Sequence, residues 1–301
     1  MIAQFPNFER LTLDSRQHIE SVISKFPPYS DFNFVSLYSW DVKDNMKISD
    51  LNGNLIVLFK DYTSDKAFLS FIGENKVDDT IATLLEYASK QALEPALHLI
   101  PEHIIELIHH KERFEISGDR DNHDYLVVAL KFSQLEGEKY ASKRHGVNKF
   151  QKNYGHMAQV KHIQIDENSM QDIVNTFHAW RKMTSKTHDE TADELMAVQR
   201  LMQNANTFDL STLGIYLDDV MVAYSIYEVK GDYAIGHFEK AVRGHPGLYD
   251  FLKHRTAQNL HHQSVKYINY EQDLGIEGLR KSKLLLHPES FLKKFTVKMA
   301  K

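Results

Sequence analysis

The chain is predicted to be a mixed α/β (α+β) protein of two successive units, each a mixed sheet flanked by helices. Short apolar or alternating runs bounded by turn residues read as strands. Between them lie segments with apolar residues at helical spacing. The order meander, helix, strand, helix, strand then occurs twice. A length of 301 residues suits about two domains of ordinary size.

A capped helix is expected from about Ser15 to Lys25, with Asp14 as N-cap and Ile19, Val22 and Ile23 inward. The stretch Met46 to Ile72 reads as a meander, turned first by Asn52-Gly53. A helix from about Asp78 to Gln91 follows, then a strand at Ala96 to Leu99 and a helix after Pro101. Strands are expected around Phe114 to Ile116 and Tyr125 to Phe132.

The second half opens with amphipathic helices near Met170 to Lys182 and Glu190 to Asn204. Strands at Leu213 to Leu217, Val220 to Val229 and Tyr233 to Lys240 are joined by Asp218-Asp219 and Lys230-Gly231-Asp232. A glycine-bearing loop, a helix from about Leu248 to Leu260 and a strand ending at Glu271 come next. A helical stretch and a strand near Phe291 to Val297 close the second unit. The chain turns polar between residues 135 and 150, which places the units at 1–135 and 136–301.

Hydrophobic residues make up 42% and charged residues 26%, as in an ordinary globular protein, which argues against global disorder. With 36 Lys plus Arg against 41 Asp plus Glu, the net charge is −5, so nucleic-acid contact would need a local basic patch. The absence of cysteine removes disulfides, thiolate ligands and a cysteine nucleophile. No secretory signal or membrane-length apolar run is evident, and a cytoplasmic location is expected. The 17 histidines include the adjacent pairs His109-His110 and His261-His262, but no metal-ligand spacing occurs, so no metal site is expected. Phosphate-binding Gly-Lys-Ser/Thr loops, Gly-x-Ser-x-Gly elbows and Rossmann fingerprints are also missing.

The densest chemistry lies between Asn269 and Lys283. Glu271 and Asp273 end a predicted strand, Gly275 turns the chain, and Arg280 and Lys283 follow in a helix. Period-two alternation would put both acids on one sheet face, able to orient an amine, while Arg280 and Lys283 meet an anion. The same spacing also fits an ion-pair network closing a strand-to-helix turn.

The repeated element order resembles a tandem pair of N-acyltransferase (GNAT) folds, in which a mixed sheet splits to admit an acyl donor. Three ordered motifs sharpen this: Gly137 to Phe150, Gly236-His237-Phe238-Glu239-Lys240-Ala241, and Asn269 to Lys283. With Phe5-Pro6-x-Phe8 and the Asp124-Tyr125 strand, they resemble the C-terminal domain of phosphatidylglycerol lysyltransferases and its free-standing relatives. That resemblance implies a tandem acyltransferase fold and, for the lysyltransferases, aminoacyl transfer from charged tRNA to a lipid hydroxyl. This chain lacks their membrane-spanning portion, so another route to a lipid acceptor would be needed.

Within that frame, the basic stretch Lys139 to Lys152 could track phosphates, with Arg144 and Asn148 touching the ligand. At helical spacing it also fits a solvated face with Val147 and Phe150 inward. The loop Arg243-Gly244-His245-Pro246-Gly247 stands where acyltransferases of this fold hold a donor pyrophosphate. Its spacing departs from the tight glycine loop of acetyltransferases, and an ordinary Pro-Gly turn into a helix also fits. Glu239 could act as a base or bind an amine, and Lys240 could meet a phosphate or carboxylate.

The expected activity is acyl or aminoacyl transfer to an amine or hydroxyl in the second unit, with aminoacyl-tRNA or acyl-coenzyme A as donor. A noncatalytic sensor of an amino acid, nucleotide or charged tRNA is the competing reading. A general base within reach of a bound acceptor would distinguish them.

Overall fold

Asn52 and Gly53 both adopt left-handed backbone (φ 60° and 78°), the type I′ geometry whose twist suits a two-residue hairpin. In a computed structural model that describes residues 2–60, 66–184 and 186–300, this hairpin joins the long strands of the first sheet. The chain forms two compact units, one of residues 1–124, 272–281 and 291–301, the other of 125–271 and 282–290.

The first unit contains β1 (Glu9–Arg10), α1 (Arg16–Ile23), α2 (Phe34–Trp40), β2 (Lys47–Leu51), β3 (Asn54–Lys60), β4 (Ala67–Ile72), α3 (Val77–Lys90), β5 (Leu97–Pro101), α4 (Glu102–Glu106) and β6 (Phe114–Gly118). Its core includes Ile48, Leu55, Ile56, Val57, Phe71 and Ile81, none exposed. β3 runs apolar on both faces because the sheet is covered on both.

The second unit carries β7 (Asp124–Val128), α5 (Ala129–Gln134), α6 (Ala141–Tyr154), β8 (Ala158–His162), α7 (Glu167–Lys182), α8 (Asp189–Gln203), β9 (Leu210–Leu217), β10 (Val220–Lys230), β11 (Tyr233–Ala241), α9 (Leu248–His262) and β12 (Tyr267–Asn269). The chain then passes through α10 (Glu277–Leu284), β13 (Ser290–Leu292) and β14 (Lys294–Met299). Asp166 caps α7 by accepting from Ser169 N at 2.8 Å, and the Ser169 hydroxyl returns the bond. Asp218 and Asp219 (φ 47° and 63°) turn β9 into β10 as the sequence predicts. Both α7 and α9 pack on β10, so its buried run from Met221 to Tyr227 is covered on two faces.

Among the described residues both sheets have seven strands, in the orders β1-β2-β3-β4-β5-β14-β6 and β13-β7-β12-β11-β10-β9-β8. Each mixes antiparallel with parallel pairing, the latter at β4–β5 and β11–β12.

Three expectations are corrected here. The strand predicted over 125–132 stops at Val128, and α5 begins at Ala129. A single cut near residue 135 does not describe the units. Tyr125 to Val128 belong to the second because β7 pairs with β12, Val128 opposite Tyr267 and Leu126 opposite Asn269. Conversely, the last strand joins the first unit, where β14 lies between β5 and β6 and buries Val297. Lys294 anchors it there, fully buried, donating to Asp124 at 2.7 Å and paired with Asp31. Asp124 also accepts from Ser30 N at 2.8 Å and from its hydroxyl at 2.6 Å. Strand periodicity reports a strand, not the sheet that takes it up.

Candidate active site

β11 and β12 pair in parallel over only three positions, ending at Ile235 opposite Asn269. β11 runs on to Ala241, still paired with β10, whereas β12 stops. Asn269 causes the stop: its buried side chain accepts from Glu271 N at 2.7 Å, and Glu271 turns left-handed (φ 55°). The sheet therefore splits between residues 236–241 of β11 and the segment after Asn269.

A buried polar cluster fills the split. Glu239 accepts a hydrogen bond from Tyr227 Oη at 2.7 Å, a second from Lys253 Nζ, and a longer one from Tyr249 Oη at 3.4 Å. The Lys253 ammonium also lies 4.1 Å from the Tyr270 ring centroid and 5.0 Å from that of Tyr249. Gly236 makes room, since a Cβ there would come within 2.8 Å of the Tyr227 ring. The Lys253 and Glu239 side chains are 5% and 10% exposed, so solvent barely screens the pair. Burial outweighs the adjacent carboxylate and pushes the Lys253 ammonium below the usual lysine range. It also pushes the Tyr227 and Tyr270 phenols well up, with Glu239 adding to the rise. Tyr249, a residue 40% exposed, borders the cluster on its solvent side, although burial pushes its phenol well up too.

Glu239 and Lys240 point to opposite faces of β11, and a bulge at His237, where Tyr227 pairs with Gly236 and Ile226 with Phe238, breaks the alternation before them. The buried His237 ring has Nδ1 3.9 Å from Glu271 Oε1 and Nε2 3.9 Å from Glu228 Oε2. Burial, helped by Lys230, lowers its pKa to about 3, so it is neutral at pH 7 and these are not ion pairs. Lys240 pairs with Glu194 of α8 and lies 4.3 Å from the Trp180 ring centroid. The neighbours Glu239 and Lys240 thus pair with residues on opposite sides of the sheet.

Glu271 and Asp273 do not share a strand face, because the left-handed turn at Glu271 breaks the alternation, and they fall in different units. Glu271 lies beside His237. Asp273, fully buried in the first unit, accepts from Arg280 at 2.7 and 3.0 Å, from Arg120 at 3.3 Å and from Gly275 N at 2.9 Å. Arg280 also donates to Asp121 at 2.5 Å, and the two carboxylates hold its guanidinium firmly charged. Lys283, in the second unit, donates to the Tyr270 carbonyl at 2.5 Å.

Arg144 donates to the carbonyls of Leu135 and Gly137 at 2.5 and 2.6 Å, tying α6 to the end of α5. Asn148 is exposed on α6. Arg243 and Gly244 lie in an exposed loop. Gly247 (φ 86°) has a packing role, since a Cβ there would come within 2.0 Å of the Gly146 carbonyl. The first turn of α9 carries Asp250, which Lys143 of α6 bonds at 2.8 Å. A carboxylate therefore stands near the helix start where a donor pyrophosphate was expected.

Sequence reasoning missed Lys253, Tyr227, Tyr249 and Tyr270. One signal was available: Lys253, Ala257 and Leu260 recur at helical spacing on the inward face of α9, and a lysine there requires a buried partner.

Residues 25–298 match the family described as phosphatidylglycerol lysyltransferase, C-terminal. The chain belongs to this family. A conserved protein of unknown function from Bacteroides thetaiotaomicron is similar in structure, with a TM-score of 0.84, 24% identity and 100% of both chains covered. L-PGS from Bacillus licheniformis aligns at a TM-score of 0.62 and 14% identity over 99% of this chain and 94% of that one. A tandem GNAT protein from the clavulanic acid pathway aligns at 0.51 and 10% identity over 98% of each. This member of the lysyltransferase C-terminal family therefore has the tandem GNAT fold, and its family and fold point to a transferase of acyl or aminoacyl groups. No helix among the described residues is long and apolar enough to cross a membrane.

Proposed function

We propose that this protein is an aminoacyltransferase working in the split of its second sheet, taking an aminoacyl ester of tRNA to an amine or hydroxyl acceptor. The carrying observation is the cluster in that split: a buried carboxylate, Glu239, compensated by Lys253 and bordered on its solvent side by Tyr249. The acceptor N–H or O–H binds beside Tyr249, within one hydroxyl of Glu239. The nonbonding pair of that nitrogen or oxygen attacks the ester carbonyl carbon and forms the new acyl bond, and the bond from that carbon to the ribose oxygen breaks. The acceptor proton passes to the carboxylate and then to the departing ribose oxygen. Positioning supplies most of the rate.

Three things favour an RNA ester over a coenzyme A thioester. The family's description names a lysyltransferase. Gly247 is taken up by packing against Gly146. Asp250, in the first turn of α9, takes up Lys143, so that lysine is not offered to a pyrophosphate at the helix start.

The test incubates purified protein with radiolabelled aminoacyl-tRNAs and with vesicles containing phosphatidylglycerol or small amines as acceptors. Label should leave the tRNA faster than spontaneous hydrolysis, and Glu239→Gln should slow transfer by about 10²-fold or more. Consumption of acyl-coenzyme A instead would overturn the donor assignment. Tight binding of charged tRNA without turnover would make the protein a sensor.

A further inference from the structure

No aspartate or glutamate occurs between Glu138 and Asp166 in a chain whose net charge is −5, yet that interval carries Lys139, Lys143, Arg144, Lys149, Lys152 and Lys161. The structure sorts these cations. Lys143 is held by Asp250 and Arg144 by the carbonyls of Leu135 and Gly137, so neither is presented to a partner. Lys149 and Lys152 are exposed and line up at helical spacing with His145 and Asn148, opposite the buried Val147 and Phe150. After the turn at His156, β8 continues with every residue from Gln159 to His162 exposed. Among the described residues β8 pairs only with β9 and forms the sheet's edge; Asp218 and Asp219, just past the β9 end that pairs with Ala158, mark the border of the acid-free region.

We propose that the outer stripe of α6, together with the exposed edge strand β8 that follows it, is the surface on which this protein grips the phosphodiester backbone of a structured RNA; the assignment rests on the reading of the protein as a tRNA-dependent transferase. A cationic stripe tracks phosphates by releasing their counterions, and side-chain amides add hydrogen bonds to phosphate and sugar. Asn148, Gln151, Asn153 and Gln159 supply such amides, all exposed. A bilayer is the poorer fit. Membrane-surface helices bury bulky apolar side chains, whereas the stretch from Ala141 to His162 exposes one large hydrophobic residue, Val160.

The experiment measures binding of uncharged tRNA to the full-length protein across a salt series. It compares the triple variant Lys149→Ala, Lys152→Ala, Lys161→Ala with a control triple variant at Lys25, Lys90 and Lys111. All six lysines are exposed, and both variants take the net charge from −5 to −8. The first should bind about tenfold more weakly or worse, with the slope of log affinity against log salt shallower by about 2–3. The control should match the parent. Equal losses in both variants, or none in the first, would overturn the assignment. So would salt-dependent binding of phosphatidylglycerol vesicles without binding of tRNA, which would make the stripe a membrane contact. Because the RNA carries no aminoacyl group, the result stands apart from catalysis: loss of turnover in Glu239→Gln with intact RNA binding bears only on the chemistry.

Discussion

Lys253 donates to Glu239 inside the split of the second sheet, and neither side chain is more than one-tenth exposed. Removing one member leaves the other charged and buried. Lys253→Met should therefore destabilise the protein by about 3–5 kcal/mol. The double variant Lys253→Met, Glu239→Gln should recover much of that loss, because no uncompensated charge remains. Urea denaturation of the parent, both single variants and the double variant measures the coupling. Strict additivity would mean that the two groups do not depend on each other.

Asp273 receives hydrogen bonds from two arginines and a glycine amide in the first unit, a set that holds the Asp273–Arg280 turn closed. Asp273→Asn is expected to lower Tm by a few degrees and to leave the kinetics of folded protein within about twofold. Glu239→Gln should instead show a large fall in kcat at a temperature where it stays folded, alongside the loss of stability expected from leaving Lys253 unpaired. A drop in kcat for Asp273→Asn at a temperature where the protein stays folded would assign Asp273 to the chemistry.

The close approach of α6 and α9 depends on two glycines. Gly247→Ala combines a left-handed backbone with a Cβ driven against the Gly146 carbonyl, and should cost on the order of 2 kcal/mol or more. Gly278, in α10, has open space where a methyl group would stand, with no atom within 4 Å, and serves as the comparison. Gly278→Ala should be stabilising by about 0.5–1 kcal/mol. Chemical denaturation of the two variants side by side reads out both signs.

His237 makes folding sensitive to acid. Its folded-state pKa of about 3 lies below the ordinary value of 6.5, so between these pH values the unfolded chain binds a proton that the folded protein rejects. Stability from this group is fully present above pH 6.5 and is lost as pH falls toward 3, with a slope of up to about 1.4 kcal/mol per pH unit. His237→Gln should flatten the stability profile between pH 6.5 and 4 relative to the parent. Parallel profiles would show that His237 protonates as readily in the folded state.

Local signals carried most of the secondary structure. The Asn52-Gly53 and Asp218-Asp219 turns, the helix from Val77 and the one from Leu248 all stand close to where periodicity and turn chemistry put them. The errors arose where a non-local partner decided. Ala129 to Phe132 read as a continued strand because three of the four residues are apolar, but the pairing with β12 ends at Val128 and the chain coils into α5. Glu271 and Asp273 read as neighbours on one face, but the Asn269 side chain captures the Glu271 amide and ends the alternation. The acids and bases of the candidate site were visible as residue types; their pairing was not, since Glu239 finds Lys253 fourteen positions away and Lys240 finds Glu194 across the other face of the sheet.

By itself the sequence determined two α/β units and a basic, acid-free stretch after residue 138, because composition, turn chemistry and periodicity are local properties of the chain, and its ordered motifs carried the resemblance to the lysyltransferase-type family. Only the tertiary structure decided that the last strand completes the first sheet, that the second sheet splits after Asn269, and that Glu239 rather than Asp273 sits in the opening with its lysine and tyrosines. Those outcomes depend on which distant backbone edges and buried charges meet. Burial then penalises every unpaired group strongly enough to select one arrangement.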